Sequence, residues 1–120
     1  GGLASALAWA DANGADRVLS VPCDMPFLPI DLLARLDLAL TGDTGVAVAA
    51  SDGRRHPVCA LWRTSALPVL IQRARAGQLS LNGLSEAAGR VVVDWPVEDR
   101  DPFLNINTGE DLARAEAMTR

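Results

Sequence analysis

The sequence predicts an α/β protein built on one sheet, and three observations predict it. Apolar residues recur at helical spacing in several separated stretches. Short, continuously apolar runs stand between them, the pattern of strands buried on both faces. One pair of runs is joined through Asp52-Gly53, which favours a tight antiparallel hairpin. Helix, strand, loop and helix in succession is the rhythm of a sheet with helices packed against it.

Leu3, Ala6, Leu7 and Ala10 mark the first helix, which Asn13-Gly14 stops. The run "DRVLSVP" is the first strand, and "CDMPFLP" carries the chain out of it. In "IDLLARLDLAL", Leu32, Leu33, Leu36 and Leu40 form one helical stripe, ended by Gly42. "GVAVAAS" and "PVCALWR" read as two strands joined by the polar turn "DGRRH". Thr64 or Ser65 is suited to cap a helix carrying Leu67, Leu70, Ile71 and Ala74, stopped by Gly77. Ser80 to Ala88 is a shorter helix ended by Gly89, and "RVVVDWP" is another strand. "DPFLNINTGEDLARAEAM" then reads as an extended segment followed by a last helix. Thr108 is its N-cap, and Glu110 and Asp111 lie in a first turn where acids favour the dipole.

The 120 residues are read as one domain, 1–120, long enough to bury a core. The net charge is −4, and all 11 basic residues are arginines spread along the chain, which argues against a nucleic-acid surface. No apolar stretch approaches the ~20 residues that span a bilayer. Cys23 and Cys59 make neither a disulfide framework nor a zinc pattern, so a reduced, cytoplasmic setting is expected. The chain opens on "GGLASALAWA" with no strand before it, and reads as the later part of something longer.

Three stretches carry polar groups suited to chemistry. Asp24 follows an apolar strand, at the sheet end where α/β proteins bind ligands. Pro22 and Pro26 restrict the backbone around it. One carboxylate so placed either helps hold Mg2+ on substrate phosphates or serves the turn before the next helix. Asn105 and Asn107 alternate along an extended segment and share a face; they either serve a metal shell or polar ligand, or satisfy turn backbone. Arg54, Arg55 and His56 form an anion-binding patch at the hairpin or a solvated turn. A thiol nucleophile at Cys23 is disfavoured, since the neighbouring acid raises its pKa and no oxyanion motif is visible.

Taken together, "VPCDMPFLPIDLLARL", "RRHPVCALW" and "DPFLNINTGEDLARAEA" resemble the successive signatures of the molybdenum cofactor guanylyltransferase family, over nearly the whole chain. "GGLASAL" is similar to the glycine-rich segment that follows that family's nucleotide-binding half. The resemblance implies a Rossmann-like nucleotidyltransferase sheet with helices on both faces, an antiparallel hairpin, and N-terminal strands missing. It implies an enzyme that transfers GMP from Mg-GTP to molybdenum-bearing molybdopterin and releases pyrophosphate. By the same resemblance Asp24 binds Mg2+ and the GTP phosphates, and Asn105 and Asn107 stand near the reacting centre. Gly2 and Leu3 lie beside the nucleotide, and Arg55 and His56 face the acceptor. Molybdenum-insertion proteins are the implied source of the acceptor, with no nucleic acid or membrane partner.

The chain departs from the pattern in two places. The family's leucine-alanine-glycine-glycine loop, with its downstream arginine and lysine, is absent from these residues. Leu79 and Ser80 also stand where many relatives carry arginine. Weak Mg-GTP binding, exposed sheet edges and little turnover are therefore expected of this chain alone. The alternatives are a related nucleotidyltransferase using CTP or a sugar phosphate, and a non-catalytic binding module of the same fold.

Overall fold

The computed structural model describes residues 2–22, 28–78, 80–97, 102–103 and 115–119. The chain runs α1 (Gly2–Ala12), β1 (Arg17–Pro22), α2 (Leu32–Ala39), β2 (Val46–Ser51) and β3 (Arg54–Arg63). A 3₁₀ turn (Thr64–Ala66) leads into α3 (Leu67–Arg75), then α4 (Leu81–Ala87), β4 (Arg90–Trp95) and β5 (Ala115–Thr119). The five strands form one sheet in the order β4-β2-β3-β1-β5. Among the described residues only β2 and β4 pair in parallel; every other pairing there is antiparallel. β1, β2 and β4 nonetheless point the same way, because β3, the return strand of the hairpin, is inserted between β1 and β2.

Alternation along the strands feeds two cores. On one face Leu19, Ala47, Ala49 and Leu61 pack under α2, which contributes Leu32 and Leu36. On the other, Val18, Val46, Val48, Ala60 and Trp62 pack under α1, α3 and α4 through Leu7, Ala10, Leu70 and Leu84. Helices thus cover both faces, as the apolar spacing required.

The hairpin turns on Asp52 and Gly53, whose φ angles of 51° and 74° are those of a two-residue type I′ turn. Arg54, Arg55 and His56, expected in the turn, are therefore the first residues of β3. The register accounts for this. Val48 faces Ala60 and the next residue, Ala49, faces His56, so Pro57–Cys59 bulge out of the ladder. Pro57 has no N–H to give and is tolerated there. The bulge turns the Val58 carbonyl toward β1, where the buried Ser20 hydroxyl lies 3.0 Å from it and 3.3 Å from the Ala60 carbonyl. The Trp62 indole N–H in turn donates to Ser20 Oγ at 3.3 Å.

Two further expectations are corrected. Neither Thr64 nor Ser65 caps α3; both lie in the 3₁₀ turn, and Ala66 precedes the helix with no side-chain cap. Ser80 does cap α4, accepting from the Gly83 amide at 3.1 Å. The last helix gives way at Ala115–Thr119 to a strand that pairs with β1 from Val18↔Thr119 to Pro22↔Ala115. Helical spacing is a local preference, whereas the second edge of β1 offers a ladder of amides and carbonyls that only an extended segment satisfies. That edge of β1 is thereby paired.

Candidate functional site

The shared direction of β1, β2 and β4 brings three strand exits, Pro22, Ser51 and Trp95, to one end of the sheet. β3 enters there at Arg54. α1 reaches the same end: residues 13–16 join its C-terminus to the start of β1, so it runs back along the strand. Gly2 and Leu3 therefore begin α1 beside the exit of β1. Asp24, Asn105 and Asn107 lie outside the described residues, as do Cys23, Thr108 and Leu79.

The described residues at this end form a continuous ledge of rings. His56 stacks on Phe103 at 4.8 Å between centroids, with the rings 20° apart. Phe103 meets Trp95 edge-on at 5.7 Å. The Arg35 guanidinium covers the Trp95 ring at 4.3 Å, and the Trp95 N–H donates to the Asp31 carboxylate at 3.0 Å. On the inner side, Ser51 Oγ and His56 Nε2 are 2.8 Å apart. Phe103 and Ser51 are fully buried, and the ledge is continuous with the core under α2.

Arg55 and His56, expected to face the acceptor together, do not share a side. Neighbours on a strand point to opposite faces. His56 turns toward the α2 face and is 1 % exposed beneath Phe103. Arg55 stays exposed on the α4 face, where its Nε donates to Asn82 Oδ1 at 3.2 Å. A cavity of about 740 Å³ opens between α3 and α4, lined by Arg73, Gln78, Ser80, Gly83 and Glu86. Ser80, one of the two residues standing where arginine was expected, is part of its lining.

Sequence reasoning missed Ser51, Trp95, Phe103 and Arg35. The one available signal was Phe103 itself, a lone aromatic in a polar stretch, two residues before Asn105.

Cys59 carries no nucleophilic chemistry. It is buried against the core under α2, and desolvation pushes its thiol from an ordinary 9.0 up to about 12. The unfolded chain loses this proton first as pH rises, so the stability it gives is intact below pH 9 and is lost between 9 and 12. The chain has no lysine or tyrosine, and among other side chains only Cys23 titrates in that window. Denaturant titrations should show stability falling by on the order of 4 kcal/mol across it, and Cys59→Ala should flatten the curve.

Among the described residues no group of three His, Cys, Asp or Glu could hold a metal ion. Mg2+ commonly needs no such cluster, since it sits on one or two carboxylates together with substrate phosphates and water. Nor, among the described residues, is any helix long and apolar enough to cross a membrane.

Residues 1–93 match the family model described as the MobA-like NTP transferase domain. A molybdenum cofactor guanylyltransferase of Cereibacter sphaeroides is 41% identical over 119 residues, covering 99% of this chain and 60% of that protein. One of Rhodopseudomonas palustris (strain HaA2) is 43% identical over 122 residues, covering 98% and 56%. The chain thus spans about 60% of the length of such curated relatives. In fold it is similar to a crystallographically solved protein of Aquifex aeolicus VF5, with a TM-score of 0.61 over 75% of this chain and 47% of that one, at 16% identity.

Proposed function

Since the chain belongs to the family of MobA-like NTP transferase domains, we propose that it takes part in transferring GMP from GTP to molybdenum-bearing molybdopterin. The observation that carries this reading is the identity of 40% and more, along nearly the whole chain, to proteins named molybdenum cofactor guanylyltransferase. Those names favour GTP over CTP or a sugar phosphate.

In this reading the reaction sits at the carboxyl end of the sheet, outside β1, β2 and β4. A terminal phosphate oxygen of the acceptor attacks the α-phosphorus of GTP. A new P–O–P bond forms, the bond to the β-phosphate bridging oxygen breaks, and pyrophosphate leaves. The attacking oxygen is already ionised at neutral pH, so the site needs positioning and charge neutralisation more than a strong base. Mg2+, when bound, supplies that neutralisation of the triphosphate.

Asp24 is the residue we assign to hold the metal, two residues past the end of β1. Asn105 and Asn107, which follow Phe103 in the sequence, are the residues we assign to the reacting centre. Gly2 and Leu3, at the start of α1, lie on the nucleotide side. The acceptor side is the α4 face, where Arg55 is exposed and the cavity lined by Arg73, Gln78 and Ser80 opens. His56, buried against Phe103, is assigned to holding that ring in place rather than to contact with the acceptor. A cytoplasmic setting fits a GTP donor, and molybdenum-insertion proteins are the proposed source of the acceptor.

The test is pyrophosphate release by the complete protein given Mg2+, the molybdopterin acceptor and either GTP or CTP. Release with GTP, at least tenfold above CTP, is expected. Equal release with both, or none with GTP, would overturn the assignment.

A further inference from the structure

Away from that site, exposed apolar side chains gather around one edge of the sheet. β4 is its last strand, and among the described residues only β2 pairs with it. Its far edge is therefore a template for another strand. Val92, in the middle of β4, is 40% exposed, and Val97, just beyond its end, is 42% exposed. Leu38 on α2 is 79% exposed. It stands one helical turn from Arg35, whose guanidinium stacks on Trp95 and bonds the Asp94 carbonyl at 3.0 Å. Leu38 thus belongs to the flank of α2 that borders β4, and apolar surface lies on both sides of the free edge.

The sequence of this edge, Arg90-Val91-Val92-Val93-Asp94, is complementary to itself in reverse. Antiparallel pairing about a two-fold axis at Val92 sets Arg90 opposite Asp94 of a second copy, Val91 opposite Val93, and Val92 opposite its own equivalent. Opposite charges directly across two strands stabilise the pairing. A slip of one residue loses both charge pairs and misaligns the faces. Parallel pairing would set arginine against arginine. Arg90 is already fixed beside the edge: its Nη1 donates to the Asn82 carbonyl, Asn82 Oδ1 and Ser85 Oγ at 3.0–3.2 Å. Its other guanidinium nitrogens are left to reach a carboxylate, and Asp94 is exposed. The hold of Arg35 on the Asp94 carbonyl keeps the ladder short.

We propose that the free edge of β4 is a self-association surface, which joins two copies of this chain through antiparallel β4–β4 pairing centred on Val92. The proposal is independent of the reaction assigned above.

Analytical ultracentrifugation from about 1 to about 500 µM chain is the test. The mass should rise reversibly from 12.6 kDa toward twice that value. Val92→Lys, which opposes two lysines, and Asp94→Arg, which opposes two arginines, should each weaken association about tenfold. Circular dichroism spectra should be unchanged. In a Cys23→Ser background, Val92→Cys should give a disulfide-linked dimer on mild oxidation, because directly paired Cα atoms lie about 5 Å apart. Trp9→Cys, on the exposed side of α1, should not. A chain that stays at 12.6 kDa throughout, a dimer untouched by both charge variants, or cross-linking equal at both cysteines would overturn it.

Discussion

Gly45→Ala should lower stability by about 3 kcal/mol and the melting temperature by roughly 15 °C. The reason is close approach of backbone to backbone. A Cβ at Gly45 would lie 2.1 Å from the Ala88 carbonyl oxygen and 3.1 Å from its carbon, at the exit of α4. Neither group belongs to a side chain that could rotate away. The segment is held there from both directions: the Gly45 amide donates to the Gly89 carbonyl at 2.9 Å, and the Arg63 amide donates to the Gly45 carbonyl at 2.8 Å. Gly45 leads into β2, so a shift at this point displaces the strand whose side chains enter both cores. Gly42→Ala provides the contrast. Its φ of 58° is left-handed but open space surrounds it, so only conformational strain of about 1 kcal/mol is expected. Chemical denaturation of the two variants side by side measures the difference. Equal losses would mean that the contact between the entry of β2 and the exit of α4 relaxes freely.

Asp24→Ala in the complete protein should reduce Mg2+-dependent GMP transfer by about a thousandfold or more, with the fold unchanged. The site as proposed has no strong base and no nucleophilic side chain. Its rate enhancement therefore rests on holding the metal–triphosphate complex in place, and one carboxylate carries much of that. Asp24→Asn keeps the size and one oxygen ligand but loses the charge, and should lie closer to alanine than to the parent. Steady-state pyrophosphate release across a range of Mg2+ concentrations checks both variants. Near-normal turnover by Asp24→Ala would remove the metal-ligand role.

Much of the architecture was legible because periodicity is a strong local signal. The leucine stripe of α2 and the apolar runs of β1 and β2 stand where spacing put them, and Asp52-Gly53 makes its turn. The start of β3 was misread because Pro57 looked like a strand boundary. A bulge absorbs the proline and lets the ladder resume on its other side, which only the pairing with β2 reveals. The strand at Ala115–Thr119 was hidden for a similar reason: its partner is the edge of β1, nearly a hundred residues earlier. At the candidate site, residue types at a strand exit were readable, and Asp24 drew attention by breaking an apolar run. The stack of His56 on Phe103 was not readable. A histidine after two arginines looks solvated in sequence, and only the alternation of β3 sends it inward while Arg55 stays out.

In the proposed function, donor nucleotide binds at the carboxyl end of the sheet, beside the ring ledge. Amide chemical-shift mapping of this chain with millimolar Mg-GTP tests it most directly, since weak binding still moves resonances in fast exchange. The predicted result is a cluster of shifts at Leu3, Val21, Ser51, Arg55, His56 and Phe103. The amides of Gly42 to Gly45 and of Ser65, at the opposite end of the sheet, should not move. Shifts confined to that opposite end, or none anywhere, would contradict the account.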